Sequence, residues 1–187
     1  MKKIFLILVI ALSLIGCSSK KEEATINNPI TLASTKADMS GYVYFKDSDH
    51  AFELISVKES TRMYSEKGTG VLYYGYPECP FCNRIVPVLN DAAKELGVKV
   101  YYVDIYEKGV TQEDVDTMFK NLDPILQKDK NNQPVFYVPE VVAIKDGKIV
   151  NHHLSILDDY KNVADELSEK QEKELKDIYK NLITSLK

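Results

Sequence analysis

Two cysteines with two residues between them, Cys79-Pro80-Phe81-Cys82, stand where one sequence pattern gives way to another. Before them, Val71-Leu72-Tyr73-Tyr74 is an apolar, β-rich run of the kind a central strand uses. After them, Pro80 to Leu96 places Ile85, Val88, Leu89, Ala92, Ala93 and Leu96 on one helical face. Gly97 follows where a helix C-terminal cap belongs. Val98 to Ile105 is again a buried-strand pattern. A strand, a helix and a strand in this order predict a parallel pair joined by a right-handed crossover. The cysteine pair then falls at a strand end and a helix start.

The flanking sequence extends this unit. Tyr42-Val43-Tyr44-Phe45 reads as a first strand, and Asp49 to Glu66 as a helix ended by Gly68-Thr69-Gly70. Thr111 to Lys128 reads as a surface helix in which Pro124 is a point of kinking or splitting. Glu140 to Ile144 and Lys148 to His152 read as two strands joined by Lys145-Asp146-Gly147, whose Asp-Gly step is a hairpin signal. Asp158 to Leu167 reads as a short separate helix. The last helix opens on a capping box, Ser168-Glu169-Lys170-Gln171, and carries Leu175, Ile178, Tyr179, Leu182, Ile183 and Leu186 as a stripe. The class is α/β: a mixed central sheet, parallel strands plus a C-terminal antiparallel hairpin, covered by helices.

The N-terminus bears on compartment. Met1-Lys2-Lys3 is basic, Ile4 to Leu14 is almost wholly apolar, and Leu14-Ile15-Gly16-Cys17 follows. This is the layout of a secretory signal. The apolar run is shorter than the roughly 20 residues that span a bilayer. Leu-Ile-Gly-Cys resembles the lipobox of bacterial lipoproteins. The resemblance implies a signal peptide over 1–16 and a lipid on Cys17, which becomes the mature N-terminus on the extracytoplasmic face of the cell membrane. One acyl chain holds weakly, and lipoprotein lipid supplies more than one. Residues 17–38 are rich in Ser, Lys, Glu, Thr and Asn and read as a flexible tether. Residues 39–187 have the length of one domain. Losing Lys2 and Lys3 from the 24 basic residues leaves 22 against 28 acidic ones, a formal charge of −6. That balance argues against nucleic acid as a partner.

With Cys17 assigned to lipid, only Cys79 and Cys82 remain of three cysteines. Outside the cytosol a disulfide persists. Stabilisation by a disulfide grows with the loop it closes, so so short a bridge is a poor staple and is better explained by redox work. A thiol attacks only as thiolate. Cys79 falls at a helix N-terminus, where orphan N–H groups and the macrodipole favour negative charge. Such cysteines have pKa values of roughly 3.5–7.5. Pro80 lacks an N–H that would be orphaned there anyway. Cys79 is therefore assigned as nucleophile. Cys82, one turn further in, is assigned as the resolving thiol that releases the substrate.

Val71 to Leu89, with Pro87 five residues after Cys82, resembles the thioredoxin family, and so does Val138-Pro139 with Val141 to Ile144 and Lys145-Asp146-Gly147 behind it. The resemblance covers about Tyr42 to Lys187. It implies the thioredoxin fold and thiol–disulfide oxidoreductase activity without a cofactor or metal. It also implies a cis peptide bond before Pro139, which packs on the cysteine pair, and a substrate chain paired to the backbone of Val138. The implied partners are exported client proteins with thiols or disulfides, and a membrane redox partner that recycles the pair. The run Tyr74 to Cys82 also resembles the bacteriocin transport accessory proteins of Gram-positive bacteria, a thioredoxin-like group. On that side stands a second reading, an accessory or immunity protein with an idle cysteine pair.

The chain also departs from the thioredoxin pattern. Glu78 replaces the usual Trp, Tyr73 stands where many members carry a buried Asp, and Glu140 stands where Thr is common. Glu78 and Glu140 near Cys79 are expected to raise its pKa by like-charge repulsion. A zinc site needs more ligands than one cysteine pair supplies. His152 and His153 are adjacent on a strand, so they point to opposite faces, and both are expected to face solvent, as is His50.

Overall fold

In a computed structural model, residues 26–187 are described. Among them six strands form one sheet, in the order Thr35–Lys36, Phe52–Leu54, Val100–Asp104, Gly70–Gly75, Glu140–Lys145 and Lys148–Leu154. The elements are β1 (Thr35–Lys36), β2 (Phe52–Leu54), α1 (Val57–Ser65), β3 (Gly70–Gly75), α2 (Pro80–Glu95), β4 (Val100–Asp104), α3 (Gln112–Leu122), β5 (Gln127–Lys128), β6 (Pro134–Val135), β7 (Glu140–Lys145), β8 (Lys148–Leu154) and α4 (Glu169–Thr184). β4 pairs in parallel with β2 and β3, and β7 runs antiparallel between β3 and β8. β5 and β6 pair as a separate small ribbon. The expected α/β thioredoxin fold is therefore present, with parallel strands closed by an antiparallel hairpin and helices on both faces.

Period-two alternation decides what each face carries. On β3 and β7, Val71, Tyr73, Val141 and Ala143 face one way and pack with Cys79, Cys82, Ile85, Leu89, Leu175, Tyr179 and Leu182 of α2 and α4. Leu72, Tyr74, Val142 and Ile144 face the other way and pack with Met63, Met118 and Leu122 of α1 and α3. The cysteine pair thus belongs to one of two cores separated by the sheet.

No strand forms over the expected Tyr42–Phe45; the strands lie on either side of it, at Thr35–Lys36 and Phe52–Leu54. Tyr42 and Phe45 are buried while Val43 and Tyr44 are exposed, which is turn spacing, not strand alternation. The amides of Tyr42 and Phe45 donate to Met39 and Tyr42 carbonyls, closing two turns. The expected helix over 49–66 begins only at Val57, because Phe52 to Leu54 are drawn into the sheet beside Val100 to Tyr102. The tether expected to run to residue 38 meets the domain earlier: Leu32 and Ala37 are buried and Thr35–Lys36 pair with β2.

Further along, α3 ends at Leu122, and Pro124 sits in a short 3₁₀ turn, since its ring clashes with a continuing α-helix. Asp158 to Leu167 forms turns, not the expected helix. There the Asn162 side chain accepts from the Ala164 amide, and the Tyr160 hydroxyl donates to the Asp165 carbonyl at 2.6 Å. Such local side-chain bonds compete with the helical ladder. α4 has the capping box expected, with the Gln171 amide donating to the Ser168 hydroxyl at 3.3 Å.

Candidate redox site

β3 ends at Gly75, a turn over Tyr76-Pro77-Glu78 follows, and Cys79 becomes the N-cap of α2 with Pro80 as the first helical residue. The Cys79 amide donates back to the Tyr76 carbonyl at 3.2 Å, which fixes the turn. The Cys79 sulfur takes the role a serine or aspartate plays at other N-caps, accepting from the Cys82 amide at 3.2 Å. Both thiols are free, with Cys79 4% exposed and Cys82 fully buried.

Their proton affinities diverge. Cys79 is lowered to about 7, first by a hydrogen bond from the Cys82 thiol and then by the amides of Cys82 and Phe81, which together outweigh its partial burial. Cys82 is pushed well up by burial and by the neighbouring Cys79 sulfur. The chemical consequence is a thiolate at the helix N-terminus backed by a protonated reserve thiol. Alkylation of Cys79 by iodoacetamide is expected to accelerate through a midpoint near pH 7; a midpoint at the ordinary cysteine value of about 8.5 would contradict this.

Glu140 does not play the part predicted for it. It lies opposite Tyr74 in register and shares the face of Val142 and Ile144, so the sheet separates it from the cysteines. It is 3% exposed, is hydrogen-bonded to His152 Nδ1 at 3.1 Å, and is raised to about 8 by burial. Glu78 is exposed to solvent, and neither carboxylate is among the groups that set Cys79.

The Val138–Pro139 peptide bond is cis, as the resemblance implies. The Val138 carbonyl lies 4.0 Å from the Cys79 sulfur, so Val138 and Pro139 border the thiol. Cys17 lies outside the described residues. Among the described residues no helix is long and apolar enough to cross a membrane. Nor does any group of three His, Cys, Asp or Glu side chains gather there as a metal site.

The histidines depart from expectation. His50 is 8% exposed, wedged between Phe45 and Phe52, and its Nδ1 accepts from the Phe52 amide at 3.3 Å. His152 and His153 do point to opposite faces, but each is half-buried, His152 on Glu140 and His153 against the Ile156 carbonyl and the Tyr179 ring. Burial lowers the pKa of all three.

One residue of the site went unremarked in the sequence. Asn83, buried on α2, donates to the Cys79 carbonyl at 3.0 Å and accepts from the Val43 amide at 2.7 Å. It ties the loop over 42–45 to the cysteine turn. Its signal was available: an amide side chain on the apolar face of a helix, directly after Cys82.

No protein-family model and no curated protein matches the chain. Among solved structures it is similar to thioredoxin O2 from Arabidopsis thaliana in its oxidized state, at 18% identity over 72% of this chain and 99% of that one, TM-score 0.42. It is also similar to thioredoxin from Aeropyrum pernix, at 22% identity over 64% of this chain and 82% of that one, TM-score 0.37. A third, thioredoxin O1 from Arabidopsis thaliana in its oxidized state, shares 19% identity over 67% of this chain and 97% of that one, TM-score 0.38. The fold is carried by the strand order and by the helices packed on both faces of the sheet.

Proposed function

We propose that the chain is an extracytoplasmic thiol–disulfide oxidoreductase, held to the cell membrane by lipid on Cys17, that exchanges thiols and disulfides of exported proteins through Cys79 and Cys82. The observation that carries this reading is the divergence of the two thiols. Cys79, at the N-cap of α2, is lowered to about 7 by the donors around it, and Cys82 behind it is pushed well up by burial. A structural disulfide needs no such asymmetry, and exchange does: one sulfur must be an anion and the other must wait. In the forward step the Cys79 thiolate attacks a client disulfide. Cys82 then attacks the Cys79 sulfur, and the client leaves reduced. Val138 and Pro139 form the shelf on which an extended client backbone lies beside Cys79. The basic start, the apolar run over 4–14 and Cys17 support export and anchoring.

A strongly oxidising pair depends on a nucleophile with a pKa near roughly 3.5, because a very stable thiolate favours the dithiol. A value about 7 favours the reducing direction. The test is catalysis of insulin reduction by the chain with dithiothreitol as recycling reductant, beside refolding of a scrambled disulfide protein. Turnover in insulin reduction is the expected result. Inactivity in both assays would leave a thioredoxin-like accessory protein with an idle pair.

A further inference from the structure

The resolving thiol has to give up its proton in a fully buried place. Cys82 has no contact with solvent, and burial opposes its ionisation. Glu140, the buried carboxylate of the neighbouring strand, faces the other side of the sheet. What stands on the Cys82 side is a cluster of phenols. Tyr42 and Tyr73 are fully buried and Tyr102 is 3% exposed. The Tyr73 ring stacks on Tyr102 at 5.3 Å, and the Tyr42 ring meets Tyr102 edge-on at 5.9 Å. The Tyr42 and Tyr73 hydroxyls are 3.2 Å apart and hydrogen-bonded.

Tyr73 reaches this position by lying along its own strand. A Cβ on Gly75 would overlap the Tyr73 hydroxyl oxygen, so the glycine is what makes room for it. Tyr73 and Cys82 share one core cluster, and the Tyr73 phenol is among the neighbours that favour the Cys82 anion. Burial keeps the Tyr73 phenol protonated, so it is a donor and not a base.

We propose that the Tyr73 hydroxyl, held by Tyr42 and given room by Gly75, donates a hydrogen bond to the Cys82 sulfur and stabilises the thiolate that resolves the mixed disulfide. This rests on the exchange proposed above. In the step, the bond between Cys79 and the client sulfur breaks, and the Cys79–Cys82 bond forms. The electron pair leaves on the client sulfur, which ends with the proton that Cys82 loses. Tyr73 keeps its own proton throughout and acts only on the second of the two attacks.

A dithiobis(nitrobenzoate) probe separates those attacks, because each releases one coloured thiol from the reduced protein. For Tyr73→Phe, whose ring still fills the core, the first release is expected to stay within about twofold of wild type. The second is expected to slow by about tenfold or more, a change of about 1.4 kcal/mol, with its pH profile displaced to higher pH, since a hydrogen bond to an ionised group is among the strong ones. Tyr42→Phe, which frees the Tyr73 hydroxyl to rotate, is expected to slow the second release less. It carries the test if Tyr73→Phe fails to fold. Second-phase rates and pH profiles like wild type in the folded variants would overturn the assignment, and so would equal slowing of both phases. A wild-type protein with no second release would instead overturn the exchange reading itself.

Discussion

Cys82→Ser is expected to leave the chain covalently joined to its clients through Cys79. The variant keeps the nucleophile at the N-cap of α2, where the amides of Cys82 and Phe81 still act on its sulfur. The first attack proceeds, and nothing resolves the product. Adducts that vanish on reduction should appear on non-reducing gels, and peptide mapping should place each bond at Cys79. Cys79→Ser is expected to form none, and to lower insulin reduction to the uncatalysed background. The reason is burial: Cys82 is closed off from solvent and its thiol is held protonated. Trapping by Cys79→Ser in place of Cys82→Ser would reverse the assignment of the two sulfurs.

The second large effect concerns stability. Glu140 is held at about 8 by burial, against an ordinary 4.5. Between those values the unfolded chain gives up a proton that the native chain keeps. The native state then binds more protons, so stability falls as pH rises from about 4.5 to about 8. His152 at 3.1 Å is pushed towards its neutral form by burial and by His153, so it does not rescue the charge. The Tyr64 and Tyr74 hydroxyls on the same side are buried without a hydrogen-bond partner among the described residues. Glu140→Gln keeps the shape and a polar partner for His152 but carries no titrating proton. Denaturant unfolding should find the variant close to wild type at pH 5 and more stable by about 2–4 kcal/mol at pH 9. Parallel stability profiles for the two proteins would show that Glu140 ionises freely.

The cysteine turn was legible because several local signals agree there. The apolar run before Cys79, Pro80 inside the helix start and Gly97 past its end each describe the same strand–helix–strand unit, and the structure has it at Gly70–Gly75, Pro80–Glu95 and Val100–Asp104. The hairpin at Asp146-Gly147 and the box at Ser168 were legible for the same reason, since turn and cap chemistry is local. Tyr42 to Phe45 misled because hydrophobicity alone does not separate a strand from a turn that drops two anchors into a core. β1 was hidden because a two-residue edge strand is made by its partner, not by its own composition. Glu140 misled for a different reason. It is next to Pro139 in sequence, but alternation along β7 turns its side chain away from the cysteines that Pro139 borders. The buried histidines were unreadable from composition: His50 is wedged between the rings of Phe45 and Phe52, His152 meets Glu140 across the hairpin, and His153 meets a backbone carbonyl past a turn.

The central claim is that Cys79 and Cys82 are one redox couple. Equilibrating the protein across a series of glutathione redox buffers, quenching with acid and counting free thiols by mass tests it most directly. The account predicts a single transition in which both thiols disappear together into an intramolecular disulfide, with its midpoint towards the reducing end of the series. Thiols that persist at every ratio, or that carry glutathione singly without pairing, would contradict it.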